Sequence, residues 1–128
     1  MSTVTITNAG LNLLRDALNG VATNTAVTYV AIGTGSTAPA VTDTQLVAEV
    51  FRKRLTAFAN GAAAGETLLT MYLSPADSGG TVIGEIGWFA GPLASATANT
   101  GVLIARGLYS HTHVANAESI QFQLDTTI

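Results

Sequence analysis

The run Pro75-Ala76-Asp77-Ser78-Gly79-Gly80-Thr81-Val82-Ile83-Gly84-Glu85-Ile86-Gly87-Trp88-Phe89 constrains this chain more than any other stretch. It reads as a tight turn feeding a strand. Pro75 sets φ, Asp77 and Ser78 can bond back to their own backbone, and Gly79-Gly80 supplies positive φ. In the strand, Val82, Gly84, Ile86 and Trp88 alternate with Ile83, Glu85, Gly87 and Phe89. Two glycines in alternate registers predict a bulge, or close approach by another backbone or a bulky ring. The single Trp lies here, so the strand is expected to cross the core.

The flanking chain supplies elements to pack around it. Leu11, Leu14 and Leu18, with Leu13 and Ala17, have helical spacing over Ala9–Leu18. Thr7 or Asn8 offers the N-cap oxygen, and Gly20 suits the left-handed residue after the helix. So short a helix needs packing to persist, and it is expected to cover a sheet. Val27–Gly33 is β-branched and aromatic, hence a strand. Gly33-Thr34-Gly35 then has the first two glycines of a phosphate loop, but Thr37-Ala38-Pro39 follows where a helix would have to start, so it reads as an ordinary loop. Asp43–Val47 is expected to form one helical turn.

Glu49–Phe58 reads as one strand with Arg52 and Arg54 on one side. Those arginines fit a solvated or charge-protected edge, or a basic stripe for an acidic partner. Glu66–Leu73 is apolar on both faces and is expected to be central. Val102–Tyr109 carries an isolated Arg106, matched by the isolated Glu85 in the strand expected to neighbour it. The two are expected to pair. Ser119–Leu124 alternates as a half-buried strand. The expected fold is α+β: a mainly antiparallel sheet of about six strands, curved or folded on itself, with the N-terminal helix packed on it.

Composition bounds the function. The 128 residues are expected to form a single domain, 1–128, large enough for its own core. Only 10% are charged, against about 25% in an average domain. A surface so poor in charge favours association, so a subunit of an assembly is expected. Net charge is −3 and three of the five basic residues are the adjacent Arg52-Lys53-Arg54, too narrow a footprint for nucleic acid. No apolar run approaches the ~18 residues of a membrane span. Met1–Thr5 shows no signal-peptide features, which fits synthesis in the cytoplasm. Cysteine is absent.

The run PADSGGTVIGEIGWFA resembles the signature of the phage tail-collar fibre family, the N-terminal part of many fibres of contractile-tailed phages. Three further stretches match in order: Ile6-Thr7-Asn8-Ala9-Gly10, Ala31-Ile32-Gly33-Thr34-Gly35 and Leu103-Ile104-Ala105-Arg106-Gly107. The resemblance runs to about residue 110. In that family a long fibre shaft usually follows this domain, and these 128 residues contain no such shaft. It implies a structural virion protein of the tail baseplate or collar that attaches, or forms the base of, receptor-binding fibres. Implied partners are other tail or baseplate subunits and fibre proteins, in a homotrimer or larger assembly, without nucleic acid, membrane or cofactor. Its signature residues here are Pro75, Asp77, Gly79, Gly80, Glu85, Ile86, Gly87, Trp88 and Phe89. The loops Gly33–Ala40 and Ala94–Thr100 are the expected subunit contacts. An alternative is a tail-tip protein that binds a host receptor or glycan. For that, exposed aromatics on loops would be expected, and Tyr109 comes nearest.

Catalytic chemistry finds little support. The serines lack an evident base and the carboxylates are scattered singly, so no enzyme is expected. His111 and His113 are the one metal candidate. On a strand they would share a face, and around a three-fold axis three copies would assemble six imidazoles. The alternative is two solvated or interfacial histidines in a loop.

Overall fold

The computed structural model describes residues 4–77, 81–113 and 119–127. Within them, the α+β class fits: one short helix, α1 (Asn8–Leu18), lies beside eight strands in two sheets. The larger sheet runs, in spatial order, β1 (Val4–Ile6), β7 (Val102–Thr112), β6 (Val82–Ala90), β2 (Val27–Gly33) and β3 (Glu49–Arg54). The smaller runs β4 (Ala57–Asn60), β5 (Glu66–Leu73) and β8 (Ile120–Thr127). All pairings between these strands are antiparallel.

Two sheets replace the expected six strands because the stretch read as one strand, Glu49–Phe58, is two. The break is at Leu55-Thr56. Leu55 N–H bonds Thr28 O on β2, whereas Thr56 N–H bonds Thr70 O on β5. Two successive amides thus point to different sheets, and the chain crosses from one to the other. The helical turn expected at Asp43–Val47 is absent; those residues are irregular, with bends at Gln45 and Val47.

The signature strand is central in the larger sheet and divides two interiors. Toward the smaller sheet, Val30, Ile32, Ile83, Ile86, Trp88 and Ala105 pack against Met71, Leu73, Phe122 and Leu124. On the opposite face, Ala31, Phe89 and Leu103 pack with Leu46, which comes from the long β2–β3 connection. Strict alternation would have put Ile83 with Phe89. The ladder is instead irregular between Ile83 and Glu85, and Ile83 joins the face of Ile86 and Trp88. Gly84 turns toward the β2–β3 connection, where a Cβ would come within 2.5 Å of Gly35 O.

A second irregularity lies opposite Trp88 and Phe89, whose partners are Ala105 and Leu103, so Ile104 is an extra residue in β7. A bulge leaves backbone groups unpaired. Here the start of α1 supplies them. Thr7 N–H bonds Ile104 O at 3.0 Å, and its hydroxyl donates to Leu103 O. The same hydroxyl caps α1 by accepting from Gly10 N–H at 3.0 Å. One buried threonine therefore starts the helix and docks it on β7.

Candidate functional site

The β2–β3 connection passes over the loop-covered face of the larger sheet and is held there by one carboxylate. Glu85 on β6 is fully buried. Its Oε2 accepts from Gly35 N–H at 2.9 Å and Ala48 N–H at 2.8 Å, and its Oε1 from Val47 N–H at 2.9 Å. Arg106 Nε, from the neighbouring β7, donates to Oε1 at 2.9 Å. The rest of that guanidinium reaches the same connection: Nη1 bonds Asp43 Oδ2 at 3.1 Å and Nη2 bonds Thr37 O at 2.9 Å. The structure thus brings Glu85 and Arg106 together and adds Asp43, whose sequence context predicts only a helical turn.

Close packing makes the arrangement possible. Glu85 lies opposite Gly33, and Arg106 opposite Gly87. A Cβ on Gly87 would come within 2.7 Å of Leu46 and 2.9 Å of Leu103, so a larger residue would push Leu46 off the sheet.

Burial pushes the Glu85 carboxyl up, but the Val47 and Ala48 amides, Arg106 and the Gly35 amide outweigh it and hold the group below its ordinary value. Four donors also occupy about as many acceptor positions as an ionised carboxylate has. Such a group is a poor proton carrier. Its geometry suits a clamp.

A smaller clamp stands at the edge of the same face. Arg52 on β3 pairs with Glu49 through Nε at 2.7 Å and Nη2 at 2.9 Å, and its guanidinium lies 4.3 Å over the Phe89 ring. Its Nη1 bonds Ser95 O at 3.0 Å and Thr100 O at 2.9 Å, and Glu49 accepts from Asn99 N–H at 3.2 Å. Neither the solvated reading nor the basic stripe describes Arg52, whose side chain is 2% exposed. It ties down the Ala94–Thr100 loop. Arg54 is exposed and lies 5.4 Å over Tyr29.

The other residues singled out in the sequence are dispersed. Ile86 and Trp88 belong to the inter-sheet core, and Phe89 to the loop-covered one. Pro75 and Asp77 sit in the turn after β5, where the Asp77 carboxylate accepts from Ser74 N–H at 2.9 Å and meets Lys53 at 2.6 Å. Gly79 and Gly80 lie outside the described residues. Only His111 departs from the loop expected for the pair: it is on β7, opposite Ile83. The buried His113 lies just past the end of that strand, its N–H bonded to Thr81 O at 2.9 Å. Among the described residues, no three His, Cys, Asp or Glu side chains are grouped to hold a metal ion, and no helix is long and apolar enough to cross a membrane.

Sequence reasoning does not place Asp43 and Leu46 on this face. It gives Thr7 as a cap but not as the dock for the bulge, since nothing local marks Ile104 as the extra residue. No family model, no curated protein and no solved structure matches the chain.

Proposed function

We propose that the chain is a structural subunit of a phage tail, at the baseplate or collar, where it attaches receptor-binding fibres or forms their base within an assembly of three or more copies. One observation carries this reading. The four stretches that resemble the tail-collar family are scattered over a hundred residues of sequence but are contiguous in space. Gly35 donates to Glu85, Glu85 pairs with Arg106, and Thr7 bonds the bulge at Ile104. Three of the four short motifs meet at one buried clamp and the fourth docks on the bulge of β7, an arrangement better explained by a shared fold than by chance matches.

The role is mechanical. The clamp makes a rigid platform of the central sheet and presents the β2–β3 connection, with Ser36, Thr37 and Ala38 exposed, to neighbouring subunits. The chain acts as a joint and not as an enzyme. Immunogold labelling of tail particles purified from producing cells tests the reading. Label at the distal end or collar of the tail is expected, and particles free of the protein would exclude it. A monomer that hydrolyses cell-wall polymer would replace it with a catalytic reading.

A further inference from the structure

The two sheets diverge at one end and leave an apolar groove of about 600 Å³. Helix α1 forms one wall with Leu11 and Leu14, and the smaller sheet forms the other with Leu69 and Phe58. Among the described lining residues, Arg54 alone is charged. Phe58 is the telling residue. It lies opposite Leu69, which packs on the core, so it shares the inward face of the smaller sheet. Yet it is 81% exposed, because no strand of the larger sheet covers it.

The strand that bears it is also open. β4 is an edge strand with all four residues exposed. Gly61 N–H bonds Glu66 O, so alternation leaves the backbone N–H and C=O of Phe58 and Asn60 pointing away from β5. Edge strands of soluble proteins are usually blunted by charge or proline. β3, at the edge of the larger sheet, carries Arg52, Lys53 and Arg54, whereas Ala57-Phe58-Ala59-Asn60 carries neither charge nor proline.

We infer that a second copy of this chain closes the groove, by antiparallel pairing of β4 with its counterpart about a two-fold axis. The two three-stranded sheets then join into one of six strands, and each Phe58 lies beside its mate across the groove mouths. The open edge favours this occupant, since the free N–H and C=O groups of Phe58 and Asn60 can pair with the same groups of a two-fold mate. Leu11, 53% exposed, and Phe58, 81% exposed, line the groove. Leu18, 89% exposed, and Val21, 77% exposed, lie further along α1 and just after it. A standard interface takes about 800 Å² from each partner, so these side chains and the edge backbone of β4 would have to be covered together. An isologous contact also needs no charge complementarity, which suits a groove with one cation. The inference stands on the groove and the open edge, independently of the tail reading.

Light scattering across a concentration series tests it. The wild-type chain is expected at twice its 13.0 kDa mass or an even multiple, and Phe58→Lys at half the wild-type mass or less. Val82→Lys, at a position 58% exposed elsewhere on the molecule, is expected to keep the wild-type mass. Circular dichroism checks that each variant is folded. Because the chain has no cysteine, Phe58→Cys gives a second and independent readout. Mild oxidation is expected to convert it largely to a disulfide-linked pair, while Val82→Cys stays mostly unlinked. A monomeric wild type, a strict trimer indifferent to Phe58→Lys, or a monomer that carries a copurifying apolar small molecule on native mass spectrometry would each overturn the inference. None of those results bears on where immunogold label falls on a tail particle, so the two proposals fail separately.

Discussion

The two faces of the five-stranded sheet are covered in opposite ways. One is closed by a second sheet, and its contacts are side chains such as Trp88, Met71 and Leu124. The other is closed by two loops, which have few apolar residues to offer beyond Leu46 and Ala94. Loops carry backbone amides that need partners when buried. Glu85 and Arg52 provide them. The difference explains where the sparse charges went: Glu85, Arg106, Asp43, Glu49 and Arg52 are all committed to holding loops down. On this chain ionic groups are used where apolar area is lacking. The outer surface is left poor in charge as a consequence.

The comparison is broken most directly at Arg106. Arg106→Met leaves Glu85 buried with only its three amide donors, and removing one member of a buried pair costs about 3–5 kcal/mol. Urea unfolding at pH 7 reads the loss. Adding Glu85→Gln, which removes the stranded charge but keeps an acceptor, is expected to recover part of it; strict additivity of the two changes would refute the clamp. Acid gives the sign. The Glu85 carboxyl is held below its ordinary value in the folded chain, so its contribution is fully present above the ordinary carboxylate range and is lost as pH falls through the lowered folded value. The gap between wild type and Arg106→Met should therefore narrow in acid.

The sheet-covered face should respond differently. Met71 is fully buried between the sheets. Met71→Ala is expected to cost about 3 kcal/mol, from lost transfer and the cavity left behind. That loss should be the same at pH 7 and in acid. If it tracked pH as the Arg106 variant does, the two faces would not be separable.

Much of this division is legible in the sequence, for identifiable reasons. β2, β5 and β6 declare themselves by β-branched and aromatic runs, and α1 by leucine spacing and its threonine cap. The Glu85–Arg106 pair could be guessed because each is the lone charge in a strand. What eluded the reading is what local pattern does not encode. Leu55-Thr56 looks like unbroken strand, and only the positions of β2 and β5 make it a crossing. Glu49 and Arg52 look like a solvated edge until the Ala94–Thr100 loop is laid over them. Leu46 looked like part of a helical turn. Its role is set by Gly87, which leaves the space that it fills.

That space permits a gentler test on the loop-covered face. Gly87→Ala adds one methyl, which would stand 2.7 Å from Leu46 and 2.9 Å from Leu103. Both near atoms are the ends of flexible side chains, so some relief is available, and overpacking of this kind costs about 1–3 kcal/mol. The decisive result is where the strain goes. Hydrogen exchange is expected to speed up at Val47 and Ala48, whose amides are held by Glu85, and to stay slow on β5. Uniform acceleration across both sheets would mean that the loop and the sheet open as one unit.

The smallest effect is expected at Thr7, where the helix meets the bulge. Thr7→Ala removes the cap acceptor for Gly10 N–H and the hydroxyl bond to Leu103 O, but keeps the backbone bond to Ile104. Loss of a threonine cap costs about 1 kcal/mol, toward 2 where the site is buried. Because α1 forms a wall of the apolar groove, the loss should also appear as weaker self-association at equal protein concentration, while the clamp on the far side of the sheet keeps its acid profile. A Thr7→Ala protein that lost that acid profile would show that helix and clamp are coupled through β7, and that the two faces of the sheet do not act independently.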